Sequence, residues 1–109
     1  MEIRRIDSAY KERIIEIFSM SFEYFEPEES EYFFSDPSLW DYVWGAFDRE
    51  RLVAAYISYK YLAKIRNRIF ECRYVEAVAT LPEYRNGGIT RKILLRDIEE
   101  AKDRGVHFI

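Results

Sequence analysis

The chain is short of the residues that build covalent and metal frameworks. Its 109 residues include one cysteine, Cys72, and one histidine, His107. A lone cysteine excludes an internal disulfide framework and any cysteine-based metal site. Four glycines and three prolines are too few for a low-complexity chain. No apolar stretch reaches the ~18–20 residues of a membrane span, and no basic-then-apolar leader opens the chain. A cytoplasmic setting with no membrane partner is therefore expected. Nucleic acid is a poor partner too, because no dense Lys/Arg cluster lies beside the aromatics.

What is present is globular material. Apolar residues make up 49% and charged residues 34%, which fits a folded rather than a disordered chain. The length suits one domain at most. The formal net charge of −3 conceals an asymmetry. Residues 1–50 carry thirteen Asp/Glu against five Lys/Arg, a balance of −8, and residues 51–109 carry seven against twelve, a balance of +5. Such an imbalance is commonly just the way solvated faces fall. Read functionally, the acidic half favours a cationic substrate and the basic half a phosphorylated one. Ten of the nineteen aromatics fall within residues 22–47, a density that fits either core or a lined pocket.

Hydrophobic periodicity orders the elements. Residues 2–6 read as a short strand, and a helix follows from Ser8, a plausible N-cap, to about Ser21, with Ile14, Ile15 and Phe18 as its stripe. A second short helix fits between Pro27 and Pro37. Residues 40–47 read as a strand, Asp48-Arg49-Glu50 as a turn, and residues 52–63 as a strand whose apolar start suits a central position. A basic turn at 64–68 leads to a strand over 69–81. Strict alternation there places Val75, Ala77, Ala79 and Leu81 on one face and Glu76, Val78 and Thr80 on the other. Pro82, lacking an N–H, ends the pairing. A helix over 89–104 carries Ile89, Ile93, Leu94, Ile98 and Ala101 on one side. Gly105 closes it, and residues 106–109 open a new strand.

That last strand–helix–strand unit has the form of a right-handed crossover between parallel strands. Its turn, Arg85-Asn86-Gly87-Gly88, spends two of the four glycines side by side. Glycines before a helix leave backbone N–H groups open at a terminus with partial positive charge, which suits phosphate. Equally, they can serve a turn that needs positive φ and nothing more. No Gly-Lys-Ser/Thr follows and Gly-x-Gly-x-x-Gly is absent, so two familiar phosphate loops are excluded.

The stretch VEAVATLPEYRNGGITRKILL resembles the acyl-coenzyme A signature of the GNAT acetyltransferases, Arg/Gln-x-x-Gly-x-Gly/Ala after a strand ending near a proline. Within that superfamily VATLPEYRNGGI is most similar to the Eis-like (enhanced intracellular survival) branch. Thr90 stands where the signature carries Gly or Ala. The resemblance implies an α/β fold with a mixed sheet (α+β), the GNAT-like acyl-CoA N-acyltransferase fold. It implies acetyl-CoA as co-substrate and an amine as acceptor. It further implies that the strand at Val78, Ala79 and Thr80 pairs with the pantetheine amides. The N–H groups of Asn86, Gly87, Gly88, Ile89 and Thr90 then hold the pyrophosphate, with Arg85 and Arg91 as counter-charges. For each arginine alone a solvated surface role is the competing reading. A backbone N–H at or beside Val78 is implied as donor to the developing oxyanion.

Candidate catalytic side chains are few. Glu76 fits a proton acceptor through water or a solvated carboxylate. His107, Cys72 and Tyr84 read as strand and turn residues. Eis-like enzymes are similar to one another in using a tyrosine acid and a terminal carboxylate, and neither position falls in these 109 residues. Residues 1–109 are accordingly expected to form the N-terminal part of a GNAT domain, cut within the strand after the main helix and inactive alone. An uncovered strand at 106–109 would then favour self-association. Two functional classes stay open: an N-acetyltransferase segment acting on a primary amine of a cationic acceptor, and a non-catalytic acyl-CoA-binding or sensor module.

Overall fold

A computed structural model describes residues 1–22, 27–106 and 109. Four strands form one antiparallel sheet in the order β1-β2-β3-β4: β1 Glu2–Arg5, β2 Val43–Asp48, β3 Arg51–Ile65 and β4 Arg68–Thr80. Helices α1, Lys11–Ser21, and α2, Pro27–Phe33, fall between β1 and β2, and α3, Ile89–Asp103, follows β4. This is the mixed α/β architecture read from the sequence. The parallel strand expected over 106–109 includes residues 107 and 108, which lie outside the described residues, as does His107.

Several boundaries differ from the sequence pattern for local reasons. Asp7, not Ser8, caps the first helical segment, its carboxylate accepting from the Ala9 N–H at 2.9 Å. Ser8–Tyr10 forms a 3-10 turn before α1 begins at Lys11. Trp40 is not in a strand: Asp36 accepts from the Ser38 N–H at 3.0 Å and winds Pro37–Tyr42 into a second 3-10 turn. The β3–β4 connection is only Arg66-Asn67, both at positive φ, which is the twist a two-residue hairpin needs. Strand β3 is therefore longer than the 52–63 read from the sequence, and β4 is shifted by one residue from 69–81.

The alternation assumed for β4 also breaks. Ile57 pairs with Ala77 but Ser58 pairs with Val75, so Glu76 is an extra residue, a β-bulge. Val75 thus shares a side with Ser58, and Glu76 and Ala77 together line a cavity with Phe18 and Phe34. Glu76 does not share the face of Val78.

The two sheet faces carry different helices. Ile14, Ile17 and Phe18 of α1 are buried with Phe34, Ile57 and Ala79 on one side. On the other, Trp44 and Tyr56, a cross-strand pair, meet α3. There the stripe Ile89, Ile93, Asp97, Ala101 is buried at i, i+4 spacing, and Asp97 is fully enclosed. Its carboxylate accepts from the Trp44 indole at 3.2 Å, from the Tyr56 hydroxyl at 3.0 Å and from the Arg73 guanidinium. Arg73 also donates to Glu100 at 2.8 Å, and Arg5 donates to the same carboxylate at 2.7 Å. All four strands are thereby tied to α3. Burial, with the Asp97 charge and hydrogen bond, raises the Tyr56 phenol well above its ordinary value.

Removing one member of a buried ion pair leaves the other uncompensated, a loss of about 3–5 kcal/mol. Asp97→Ala should therefore lower the unfolding free energy by about 3 kcal/mol or more in denaturant titration. A second expectation concerns acid. Burial opposes the Glu100 charge, but hydrogen bonds and charge from Arg5 and Arg73 outweigh it and hold its carboxyl below the ordinary value. A folded-state value depressed this way adds stability above the unfolded carboxylate value of about 4.3, lost as pH falls through the folded one. Glu100→Gln should flatten that acid limb in pH-dependent melting, and an unchanged limb would discount the pairing.

Candidate functional site

The glycine turn occupies the gap between the end of β4 and the start of α3. After Thr80, the Leu81 N–H returns to the Val53 carbonyl at 2.9 Å, keeping the chain on the sheet edge. Pro82–Tyr84 then forms a 3-10 turn. The Tyr84 hydroxyl donates to Asp48 at 2.6 Å, tying the turn to the β2–β3 connection, and this hydrogen bond raises the phenol's pKa. Arg85 donates through Nε to the Thr80 carbonyl at 3.0 Å, bracing the turn across its mouth.

The two glycines do different things. Gly88 is the N-cap of α3 at φ +74, where a side chain is strained, and it supplies no side-chain cap. Asn86 is the other positive-φ residue of the turn, a conformation asparagine tolerates. Gly87 is not at positive φ, and an added Cβ would meet only the Tyr84 carbonyl, at an ordinary 3.5 Å. The fold therefore requires glycine at 88 but not at 87. The first helical hydrogen bond of α3 runs from Lys92 N–H to the Gly88 carbonyl at 3.1 Å. The N–H groups of Ile89, Thr90 and Arg91 precede that ladder, as the opening donors of any helix do.

Thr80, Tyr84, Arg85, Asn86, Gly88, Ile89 and Thr90 line a cleft of about 200 Å³. Of the ten residues marked out by sequence, six line this cleft. Gly87 and Arg91 flank it. Val78 and Ala79 lie back along β4, paired with Tyr56 and Ala55, and Ala79 is buried. Tyr84 was read as a turn residue and proves to be part of the wall.

A second cavity, of about 250 Å³, opens further back on β4 beside the bulge. Phe18, Phe22, Phe33, Phe34 and Ile57 form its apolar wall and Glu76 its polar edge. The aromatic density thus serves both core and cavity, with Phe34 in the core cluster. Residues 23–26 of that acidic aromatic segment lie outside the described residues. Burial, together with the charge of Glu76 and a hydrogen bond to it, pushes the Tyr59 phenol up to about 12. Another cavity, of about 470 Å³, is lined by Arg5, Arg73 and Glu100 with Arg104 and Val106 at the end of α3. On its walls Lys60 pairs with Glu71, and Arg5 and Arg73 pair with Glu100.

With this geometry established, comparison with known proteins defines the class. The profile of the acetyltransferase (GNAT) domain matches residues 2–109, and the chain belongs to that family. No curated protein matches it. Among solved structures it is similar to a GCN5-related N-acetyltransferase from Kribbella flavida, at 18% identity and TM-score 0.86, over 96% of this chain and 28% of that one. A tetramutant of the BH1408 protein from Bacillus halodurans is 17% identical at TM-score 0.80, over 100% and 80%. The aminoglycoside N-acetyltransferase AAC(6')-Iy, solved with CoA, is 10% identical at TM-score 0.78, over 98% and 72%. These likenesses establish the fold. The chain spans little more than a quarter of the Kribbella protein. No helix of the described residues is long and apolar enough to cross a membrane.

The two glycines can be separated experimentally. Gly88→Ala forces a side chain into left-handed backbone and should cost about 1–2 kcal/mol in urea unfolding. Gly87→Ala should leave the unfolding midpoint within the roughly 0.5 kcal/mol of a neutral surface change. Equal losses at both positions would contradict the assigned backbone roles.

Proposed function

We propose that this chain binds acetyl-CoA in the cleft at the β4–α3 turn, and that the protein transfers the acetyl group to a primary amine of a cationic acceptor. The observation that carries the reading is the pairing of unladdered N–H groups at 89–91 with a Gly87 that the fold itself does not need. A glycine without a conformational reason suits a backbone that a pyrophosphate approaches closely. Asn86, Gly87, Gly88, Ile89 and Thr90 would supply the N–H cradle, and Arg85 and Arg91 the counter-charge. Val78, Ala79 and Thr80 would present backbone groups to the amides of the pantetheine arm.

In the transfer, the amine nitrogen bonds to the thioester carbonyl carbon and the carbon–sulfur bond breaks. The amine sheds a proton and the leaving thiolate gains one, and an alkylamine near pKa ~10 needs help with the first step. The N–H at or beside Val78 is the donor this reading assigns to the oxyanion. Glu76 edges the phenylalanine cavity only two residues from Val78, so an ammonium seated there would lie close to the transfer point. That carboxylate, with the acidic balance of the N-terminal half, supports a cationic acceptor.

The Eis-like branch is the affiliation we favour within the family. Its support is the phrase VATLPEYRNGGI and the likeness to a Kribbella protein more than three times as long as this chain. A cytoplasmic setting fits the unpaired Cys72. A non-catalytic acyl-CoA binder is the second reading. What favours it is that Tyr84, the one phenol or carboxyl among the described residues of the cleft wall, already donates to Asp48. Amine-dependent thiol release from the intact protein separates the two.

Calorimetric titration tests the common core. CoA and acetyl-CoA should bind saturably, and Arg85→Ala should weaken binding by about tenfold, the worth of one charge-assisted hydrogen bond. Gly87→Ala should weaken it at least as much without loss of stability. No saturation at millimolar ligand on well-folded protein would defeat the proposal.

A further inference from the structure

The phenylalanine cavity beside the bulge has a lining graded from apolar to charged. Phe18, Phe34 and Ile57 are fully buried. Phe22, Phe33 and Ala77 are half-buried, and Glu76 is exposed. Among the described lining residues Glu76 brings the one polar side chain. A ligand placed here meets hydrocarbon along most of its length and a single carboxylate where water reaches.

The four rings already pack on one another. Phe18 and Phe22 stack with centroids 5.5 Å apart, and Phe18 and Phe34 are tilted at 5.7 Å. Phe33 meets Phe34 edge-on at 5.0 Å. A further ring is well received by such a cluster, because offset and edge-to-face contacts at about 4.5–7 Å add to the gain from burial alone. The cavity, at about 250 Å³, is smaller than the ~300–1,000 Å³ that holds drug-sized ligands, so the body it takes is small.

The same lining selects against polar bodies. A hydroxyl or a second ammonium carried past Glu76 gives up water and meets no other polar side chain among the described lining residues. Each group left unmet in this way weakens binding by roughly tenfold. Glu76 itself is held by the Tyr59 hydroxyl, which hydrogen-bonds to it. A carboxylate has about four lone-pair sites, so that bond leaves it able to receive an ammonium.

We propose that the amine this protein acetylates is a small arylalkylamine, its one ammonium paired with Glu76 and its ring set among the phenylalanines. This rests on the acetyl-transfer reading and narrows the acceptor from cationic amines in general to one charge on an aromatic body. The amine nitrogen takes the acetyl group from sulfur, and the proton it sheds ends on the leaving CoA thiol. Glu76 is a specificity residue, two positions along β4 from Val78.

Amine binding is measured apart from catalysis, by calorimetric titration of the whole chain with and without saturating CoA. 2-Phenylethylamine should bind at least tenfold tighter than ethylamine, the expected gain from burying a benzyl-sized group. It should also bind at least tenfold tighter than spermidine or kanamycin, which carry several charges. Glu76→Gln should weaken 2-phenylethylamine by about fivefold, the upper worth of an exposed ion pair, and leave the neutral 2-phenylethanol within about twofold. Ala77→Leu, filling the cavity from a half-buried position, should weaken both phenyl ligands by about tenfold and leave CoA binding unchanged. Circular dichroism checks that each variant keeps its fold. Spermidine or kanamycin binding as tightly as 2-phenylethylamine overturns the proposal, and so does 2-phenylethylamine binding that ignores Glu76→Gln. No 2-phenylethylamine binding while CoA saturates removes the arylalkylamine alone. Saturable 2-phenylethylamine without any CoA binding keeps the aromatic amine site and removes the transfer.

Discussion

The carboxylate of Asp97 is buried in the middle of an otherwise apolar helix stripe, and much of the structure is arranged around that fact. Enclosing a charge costs several kcal/mol unless its lone pairs are met. Here they are met by donors from three neighbouring strands: the Trp44 indole, the Tyr56 hydroxyl and the Arg73 guanidinium. An apolar side chain at this position could slide by a turn at modest expense. A buried ion cannot, because a displaced helix would strand both Asp97 and Arg73. The carboxylate therefore fixes the rotation and the register of α3 on the sheet. Glu100, one turn further on, extends the tie to β1 through Arg5.

Fixing α3 also fixes the turn before it. The end of β4 is held by the ladder to β3, and the start of α3 follows from the position of Asp97 two turns later. Residues 81–88 must bridge a gap whose two sides are already set. Two braces, Tyr84 to Asp48 and Arg85 to the Thr80 carbonyl, hold the bridging chain, and Gly88 supplies the left-handed residue that lets it enter the helix. The outcome is a set of helix-opening N–H groups at residues 89–91 whose place is set by the sheet and by α3. The C-terminal end of α3 is equally well defined. Gly105 at φ +73 donates to the Lys102 carbonyl and Val106 to that of Ala101, a Schellman closure.

The bulge at Glu76 is the second organising irregularity. By inserting one residue it turns Glu76 toward the α1–α2 side, where Phe18 and Phe34 wait, while Val78 stays paired with Tyr56 under α3. One strand thus serves two cavities. Its end borders the glycine cleft, and its bulge borders the phenylalanine cavity.

How much of this was legible in the sequence depends on whether a feature is local. Element order, the helix α3 and its Gly105 stop follow from periodicity and from residues with special backbone freedom, and these act within a few neighbours. The cleft at residues 80–90 was legible for the same reason: strand, turn and helix are contiguous in the chain, so proximity in sequence secures proximity in space. The caps at Asp7 and Asp36 were missed because several short polar residues compete for each cap, and the winner depends on where the chain leaves the sheet. Asp97 left one signal, its place four residues from both Ile93 and Ala101 in a buried stripe. Its partners lie twenty-four to fifty-three residues away, and no local pattern names them. The bulge was invisible to a two-residue repeat, because it exists only as a mismatch between β3 and β4. The sequence by itself determined the order of the main helices and strands and the place of the glycine turn between β4 and α3. Tertiary structure alone decided which charges are buried together and which way Glu76 faces, because both are settled by pairing across long loops.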